Sequence, residues 1–507
     1  MRTKKSLINM FVGFGGQGLS FIISFVNRIV FIHYLSAEYL GVNGLFGNVI
    51  GMLSLAELGI GSAIVFSLYK PLAENDRDQI GRLMNLYKQM YRRVAVAVAG
   101  IGMALFPFLD HLVKGQSVPH LRLIYLMYLA NSVLSYLFSY KCSIFMADQR
   151  SYIKVVWEQA MHLIQMLIQI LVLVLTRNFL LYLGIQMVCN LFVYIMIAWH
   201  ADREYPYLKE YHELPEPQIR EGITRNIKAM FMHKLGAIFV QGTDNLLVSA
   251  FVGLASVGIY SNYSMIMTNI NSLLTRILEA FSASVGNLGA TEKEGRIHEV
   301  YRTADFLMYL IYSYIAGGLL FLYNPFIRVF FGADYLFPMS IVWIIVANFY
   351  LNGMRQTNLI FREAMGLFWY DRYKSIAEGI VNLIVSVLLV RRFEVAGIFL
   401  GTIVSTLTTS FWVEPYVLMR YGMKKDWKRK LRDYFVRYVG RTAIAMAVIL
   451  LSIKICGKIP DGNIGWLIVN GCAYTACFGI LMRILYRKSW ELKDLLDRAK
   501  GFLAGRR

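Results

Sequence analysis

Charged residues stand where the surrounding sequence is apolar enough to lie in hydrocarbon, among them Arg28, Glu57, Lys141, Lys234, Asp244, Arg276, Arg355 and Glu378. A charge at membrane depth costs ~2.5–3.5 kcal/mol on insertion scales, so it persists where it is paired, hydrated or working. The cations Arg28, Arg276, Lys141, Lys234 and Arg355 suit an anionic ligand, arginine through its bidentate fork. The acids Asp244, Glu57 and Glu378 are their counterparts, candidates for gating or for holding a coupling ion. Some have simpler readings. Arg276 and Glu279 are three apart on one helix and would partly neutralise each other. Lys141, Lys234 and Arg355 lie near span ends and can snorkel to the interface.

Other chemistries find no support. GFGGQG at 13–18 matches G-x-G-x-x-G, but a dinucleotide site needs a preceding strand and a soluble helix. Here the motif sits in an apolar run, where its glycines allow close helix packing. The eight histidines are scattered and make no metal-ligand spacing. Neither a P-loop nor a G-x-S-x-G motif occurs. The five cysteines lie in or beside apolar runs without framework spacing. The expectation is therefore no catalytic residue, no metal and no cofactor, with coupling to an H+ or Na+ gradient as the energy source open to such a chain.

The elements that must position these charges are membrane helices. The chain has 507 residues, 57% hydrophobic and 17% charged, and a mean hydropathy of +0.49; soluble domains carry about 25% charged residues. Apolar runs of about 20 residues are long enough to cross hydrocarbon as helices. Fourteen spans are expected, near 8–34, 40–69, 86–109, 120–147, 152–175, 179–200, 227–252, 257–286, 302–323, 337–361, 367–390, 395–419, 438–456 and 464–486. With both termini cytoplasmic, 39 of the 52 Lys and Arg fall on the inner side and eight on the outer. The net charge of +20 is therefore topological, suited to anionic inner-leaflet lipids rather than to nucleic acid.

An internal repeat organises the spans. LSAEYLGVNGLF (35–46) overlies VGLASVGIYSNY (252–263) at an offset of 217 residues, with Gly41 on Gly258 and Asn27-Arg28 on Asp244-Asn245. Span 1 then corresponds to span 7, and the repeat is parallel because six spans is an even number. The expected fold is an all-α integral membrane protein of 14 transmembrane helices: two six-helix lobes (1–200 and 227–420) joined by a cytoplasmic linker (201–226). An amphipathic basic interfacial helix (421–437), two additional spans (438–486) and a cytoplasmic tail (487–507) follow. Arg28 and Asp244 fall one residue apart in repeat register, as a gate pair would.

The stretches VFIHYLSAEYLGVNGLFGNVIGMLSLAELGIGSAIVFSLYKPLA and DNLLVSAFVGLASVGIYSNY resemble bacterial polysaccharide export proteins. These are the Wzx-type oligosaccharide flippases of the multidrug/oligosaccharidyl-lipid/polysaccharide exporter superfamily. The resemblance implies two lobes around a central cavity and alternating access in the bacterial cytoplasmic membrane. It implies a lipid-linked oligosaccharide on an undecaprenyl diphosphate carrier as substrate, moved from the inner to the outer leaflet for capsule, exopolysaccharide or O-antigen synthesis. A transporter, not an enzyme, is expected: a monomer among membrane lipids, with polysaccharide polymerase machinery as a partner. Lipid II flippases, also of fourteen spans, carry several arginines in spans 1 and 2, where this chain has Arg28 alone. A cation-coupled multidrug exporter of the same superfamily would want an anionic, aromatic cavity. A membrane glycan polymerase would want a large outer loop.

Overall fold

A computed structural model describes residues 23–53, 60–113, 118–148, 152–211, 213–224, 243–291, 294–365, 370–457 and 463–503, with residues 150, 227 and 367. Every element among them is helical. The helices used below are α1 (residues 23–34), α2 (Ala37–Leu53), α3 (Ile60–Glu74), α4 (Arg77–Leu105), α5 (Leu121–Ala147), α6 (Tyr152–Thr176), α7 (Phe179–Glu204) and the short α8 (Thr243–Leu247). Then come α9 (Leu254–Thr291), α10 (Glu294–Phe331), α11 (Met339–Met354), α12 (Gln356–Ala364), α13 (Lys374–Thr408), α14 (Ser410–Val417), α15 (Trp427–Cys456), α16 (Ile464–Tyr486) and α17 (Trp490–Leu503). Among the described residues, seven helices are long and apolar enough to cross a membrane. Their apolar surfaces are unlike those of a soluble protein. On α6, Ile164, Leu167, Ile168, Leu171 and Leu175 are all exposed, Leu175 at 72%. That stripe is stable against lipid tails and not against water.

Expected spans 1 and 7 lie largely outside the described residues, which leave out 1–22 and 228–242. Residues 54–59, inside expected span 2, lie outside the described residues. Expected span 10 is broken at Arg355, between α11 and α12, and expected span 12 at Thr409, between α13 and α14. Such interruptions are tolerated at membrane depth where side chains re-satisfy the freed backbone groups. Expected spans 11 and 12 run together as α13, with a reversal at Glu394 (φ 50°, ψ −128°). The two arms close tightly: Ser386 donates to the Ile398 carbonyl at 3.1 Å, and Asn382 donates to Thr402 at 3.0 Å.

Of the basic segment expected to lie as a separate surface helix over 421–437, the residues from Trp427 onwards are instead the first part of α15, one helix through to Cys456. Hydropathy changes sharply near residue 438, but no proline interrupts the backbone there, so helical hydrogen bonding carries through.

The described chain divides into two compact units, Met1–Gly258 and Ile259–Arg507. In the first unit, the linker after α7 docks back on α4 rather than hanging free. Arg82 pairs with Glu213 at 3.0 Å, Asn85 donates to the Glu213 carbonyl at 3.1 Å, and Arg77 lies over the Tyr207 ring at 5.5 Å.

The first unit reaches to Gly258 because segment 243–258 packs on α2 and the end of α4's hairpin. Ser249 donates to the Leu112 carbonyl at 2.6 Å. A Cβ on Gly41 would run into the backbone carbonyl of Leu254, and one on Gly258 into the carbonyl of Ala37. These contacts are reciprocal under the 217-residue offset, since Ala37 corresponds to Leu254 and Gly41 to Gly258. The two repeat copies thus cross at matching glycines, which alone allow the backbones so close. Gly41→Leu or Gly258→Leu would force the segments apart and cost about 1–3 kcal/mol or more. Each variant should show a clearly lowered melting temperature in detergent, whereas Gly47→Leu, whose Cβ meets nothing, should not.

Candidate functional site

The intramembrane charges of the second unit converge. Arg355, freed at the break between α11 and α12, donates to Glu414 through Nε (3.1 Å) and Nη2 (2.7 Å). Its Nη1 also donates to Glu378 at 3.1 Å. Glu378 accepts from Thr406 (3.1 Å) and from Ser410 (2.5 Å), the latter at the second helix break. Lys374 bonds the same Glu414, and Arg362 bonds Asp371. Glu378 and Glu414 are 4% and 1% exposed. Three cations, Arg355, Lys374 and Arg362, meet three carboxylates, Glu378, Glu414 and Asp371, so the knot is formally neutral. Arg355 therefore spends its fork inside the protein, and Glu378 is its partner rather than a separate acid.

A buried pair of this kind adds little net stability, but removing one member strands the other, at about 3–5 kcal/mol. Glu414→Gln should therefore lower the melting temperature strongly. The paired change Glu414→Gln with Lys374→Met should recover a large part of that loss. Equal losses in both variants would contradict the pairing.

The first unit solves the same problem differently. Lys141 on α5 is held by Asp202 on α7 at 2.6 Å. Further along α6, Glu158, His162, Gln165 and Gln169 recur at spacings of four, three and four, one face of a helix. Their lower part lines a cavity of about 290 Å³ shared with Cys189, Asn190 and Tyr194 of α7. Above it the amides form a chain. Gln165 donates to Gln169 (3.4 Å), Asn27 donates to Gln169 (3.4 Å) and to Tyr182 (3.1 Å), and Gln169 donates to the Tyr182 carbonyl (3.1 Å). Asn190 donates to Asn131 at 3.2 Å.

Arg28 is half-buried next to this chain, with the hydroxyls of Tyr128 and Tyr182 among its electrostatic neighbours. Asp244 is half-buried in α8, which packs on α2. Glu57 and Lys234 lie outside the described residues, as does the side chain of Arg276 on α9.

The tail is not loose either. Arg302 on α10 pairs with Glu491 of α17 at 2.6 Å, Arg441 on α15 pairs with Asp305 at 2.6 Å, and Thr303 donates to Asp494 at 2.6 Å. Beside them, burial foremost and then the charges of Lys430, Arg437 and Arg302 push His298 down to about 4 from 6.5. His298 precedes expected span 9, outside the hydrocarbon. The unfolded chain binds this proton more readily, so its contribution is complete above pH 6.5 and is lost as pH falls towards 4. His298→Asn should flatten the part of the melting-temperature decline that lies between those values.

Among the described residues, no group of His, Cys, Asp and Glu is placed to hold a metal ion. The model for a family described as "Polysaccharide biosynthesis protein" matches residues 6–282, more than half of the chain. The chain belongs to that family. No curated protein matches the sequence.

Solved structures agree on the fold. A lipid II flippase MurJ in an inward closed conformation superposes with a TM-score of 0.66 at 13% identity, over 93% of this chain and 98% of that one. An inward-facing multidrug resistance MATE family transporter of the MOP superfamily gives 0.64 at 14% identity, over 80% and 96%. A MOP superfamily transporter from Pyrococcus furiosus gives 0.50 at 13%, over 82% and 95%. At these identities the likeness establishes the fold alone, one shared with transporters of the MOP superfamily, and the membrane-length helices make the chain a multi-pass membrane protein.

Proposed function

We propose that this protein moves an undecaprenyl-diphosphate-linked oligosaccharide from the inner to the outer leaflet of the bacterial cytoplasmic membrane by alternating access. The observation that carries the proposal is membership of the polysaccharide biosynthesis family in a chain whose fold is that of lipid II flippase and MATE transporters. The chemistry of the interior is compatible. A diphosphate cannot cross hydrocarbon without compensation, and Arg28 beside the Asn27–Gln169–Tyr182 chain offers a cation among amide and hydroxyl groups. Amides and hydroxyls both donate and accept, as sugar hydroxyls require.

An apolar groove of about 460 Å³ between α9, α10 and α16, lined by Ile266, Leu322, Phe326 and Ile468 among others, is suited to a polyprenyl chain. In this reading Arg28 and Asp244 close the outer gate. An arriving diphosphate competes for Arg28 and so binds one state better than the other, which is what a ligand must do to shift it. The crossing of Gly41 and Gly258 is the fixed point next to that gate. The gradient, H+ or Na+, would act through acids such as Asp244 and Glu57, and polymerase machinery would take up the product outside.

Deletion of the gene should cause lipid-linked oligosaccharide to accumulate, with loss of surface polysaccharide, and the intact gene should restore both. In the complemented strain, Arg28→Ala should export at less than a tenth of the intact level, with Arg28→Lys intermediate because it keeps charge but not the fork. Normal export by Arg28→Ala would remove Arg28 from the mechanism. Normal surface polysaccharide after deletion, with raised sensitivity to cationic drugs, would instead favour the multidrug exporter.

A further inference from the structure

Arg437 is the anomaly of the second unit. It lies on α15, ten residues after Trp427, and it is half-buried. Its Nε and Nη2 are both buried, and neither donates a hydrogen bond. The neighbouring carboxylates bond other cations, although Asp305 keeps one oxygen, Oδ1, buried without a donor. Asp305 is bonded by Arg441 at 2.6 Å, and Glu491 by Arg302 at 2.6 Å with Arg441 at 3.6 Å. Asp433 lies 3.8 Å from Arg432. The Nε of Arg302 is also buried without an acceptor. Lys430 donates to the Met423 carbonyl at 3.1 Å. A buried guanidinium lacking an acceptor costs free energy, which an incoming oxyanion would recover.

We propose that Arg437, with Arg302 beside it, is a binding site for a phosphate oxyanion, supplied by the headgroup of an anionic phospholipid in the inner leaflet. The surroundings favour a lipid as the source. Lys424, Lys425, Lys428, Arg429 and Arg432 are exposed on the same stretch, making a basic approach that anionic lipid would concentrate on. Val436 and Val439, three apart on α15, are each 65% exposed, an apolar surface for acyl chains on the same helix. Trp490, 43% exposed and adjacent to Arg302 in a cation–π contact at 5.4 Å, has the amphipathic character of a headgroup-level residue. Glu491 and Asp494 of α17 bond α10 next to this site, so lipid binding would also steady the docked tail.

The test compares melting temperatures of purified full-length protein and its Arg437→Met variant in nanodiscs of phosphatidylcholine alone and of phosphatidylcholine with phosphatidylglycerol. In phosphatidylcholine the variant should melt at or above wild type, because an uncompensated buried charge has gone. With phosphatidylglycerol wild type should gain several degrees, and the variant less than half of that gain. A triple change of the exposed Lys428, Arg429 and Arg432 to Gln should keep most of the gain. If Arg437→Met gains as much as wild type, the site is not at Arg437. If millimolar inorganic phosphate in phosphatidylcholine reproduces the whole gain, the ligand is a soluble anion and the lipid assignment fails. If neither anion raises the wild-type melting temperature, Arg437 is merely hydrated and the proposal is wrong.

Discussion

A charge carried below the membrane surface must be answered locally, and most of this structure's side-chain chemistry follows from that constraint. The second unit answers it with a neutral knot in which Arg355 grips Glu378 and Glu414 across two broken helices. The knot and the breaks need each other. An unbroken α11–α12 would not offer Arg355 at that point, and an unsupported break would leave backbone groups without partners in lipid. The first unit answers with Lys141 on Asp202 and, deeper in, with neutral amides in place of charges. Compensation supplied by the protein makes scaffold; compensation left for a ligand makes function. In the proposal above Arg437 belongs to the second kind.

The sequence and the structure agree most closely where a local rule governs. Hairpin turns, helix periodicity and the glycine-rich repeat depend on residues a few positions apart or on direct comparison of two copies. The reciprocal crossing of Gly41 and Gly258 shows why those glycines stand in register. The turn between spans 11 and 12 was likewise legible, at the charged RRFE run around Glu394.

Other features were hidden for physical reasons. Arg355 and Glu378 stood out individually, but nothing in spacings of 23 and 36 residues announces that they meet Glu414. That depends on how three helices pack. Glu414 itself, in FWVEPYV near a span end, was not among the charges that stood out. The stripe Glu158, His162, Gln165, Gln169 was readable by its helical spacing, yet attention to full charges passed over uncharged amides. The continuity of α15 was masked because hydropathy tracks the surrounding solvent, while a helix ends only where its backbone bonding ends. The docked tail could not be inferred, since Glu491 and Asp494 find Arg302 and Thr303 almost two hundred residues away in sequence.

The central claim is that this protein carries a lipid-linked glycan across the bilayer. Its most direct measurement uses purified protein in proteoliposomes loaded with undecaprenyl-diphosphate-linked oligosaccharide bearing a labelled sugar. A glycan-cleaving enzyme that cannot cross the membrane reports the fraction in the outer leaflet. With the substrate placed in the inner leaflet, the account predicts label release well above that of protein-free vesicles. Release no faster than in protein-free vesicles, across imposed H+ and Na+ gradients of either direction, would contradict it.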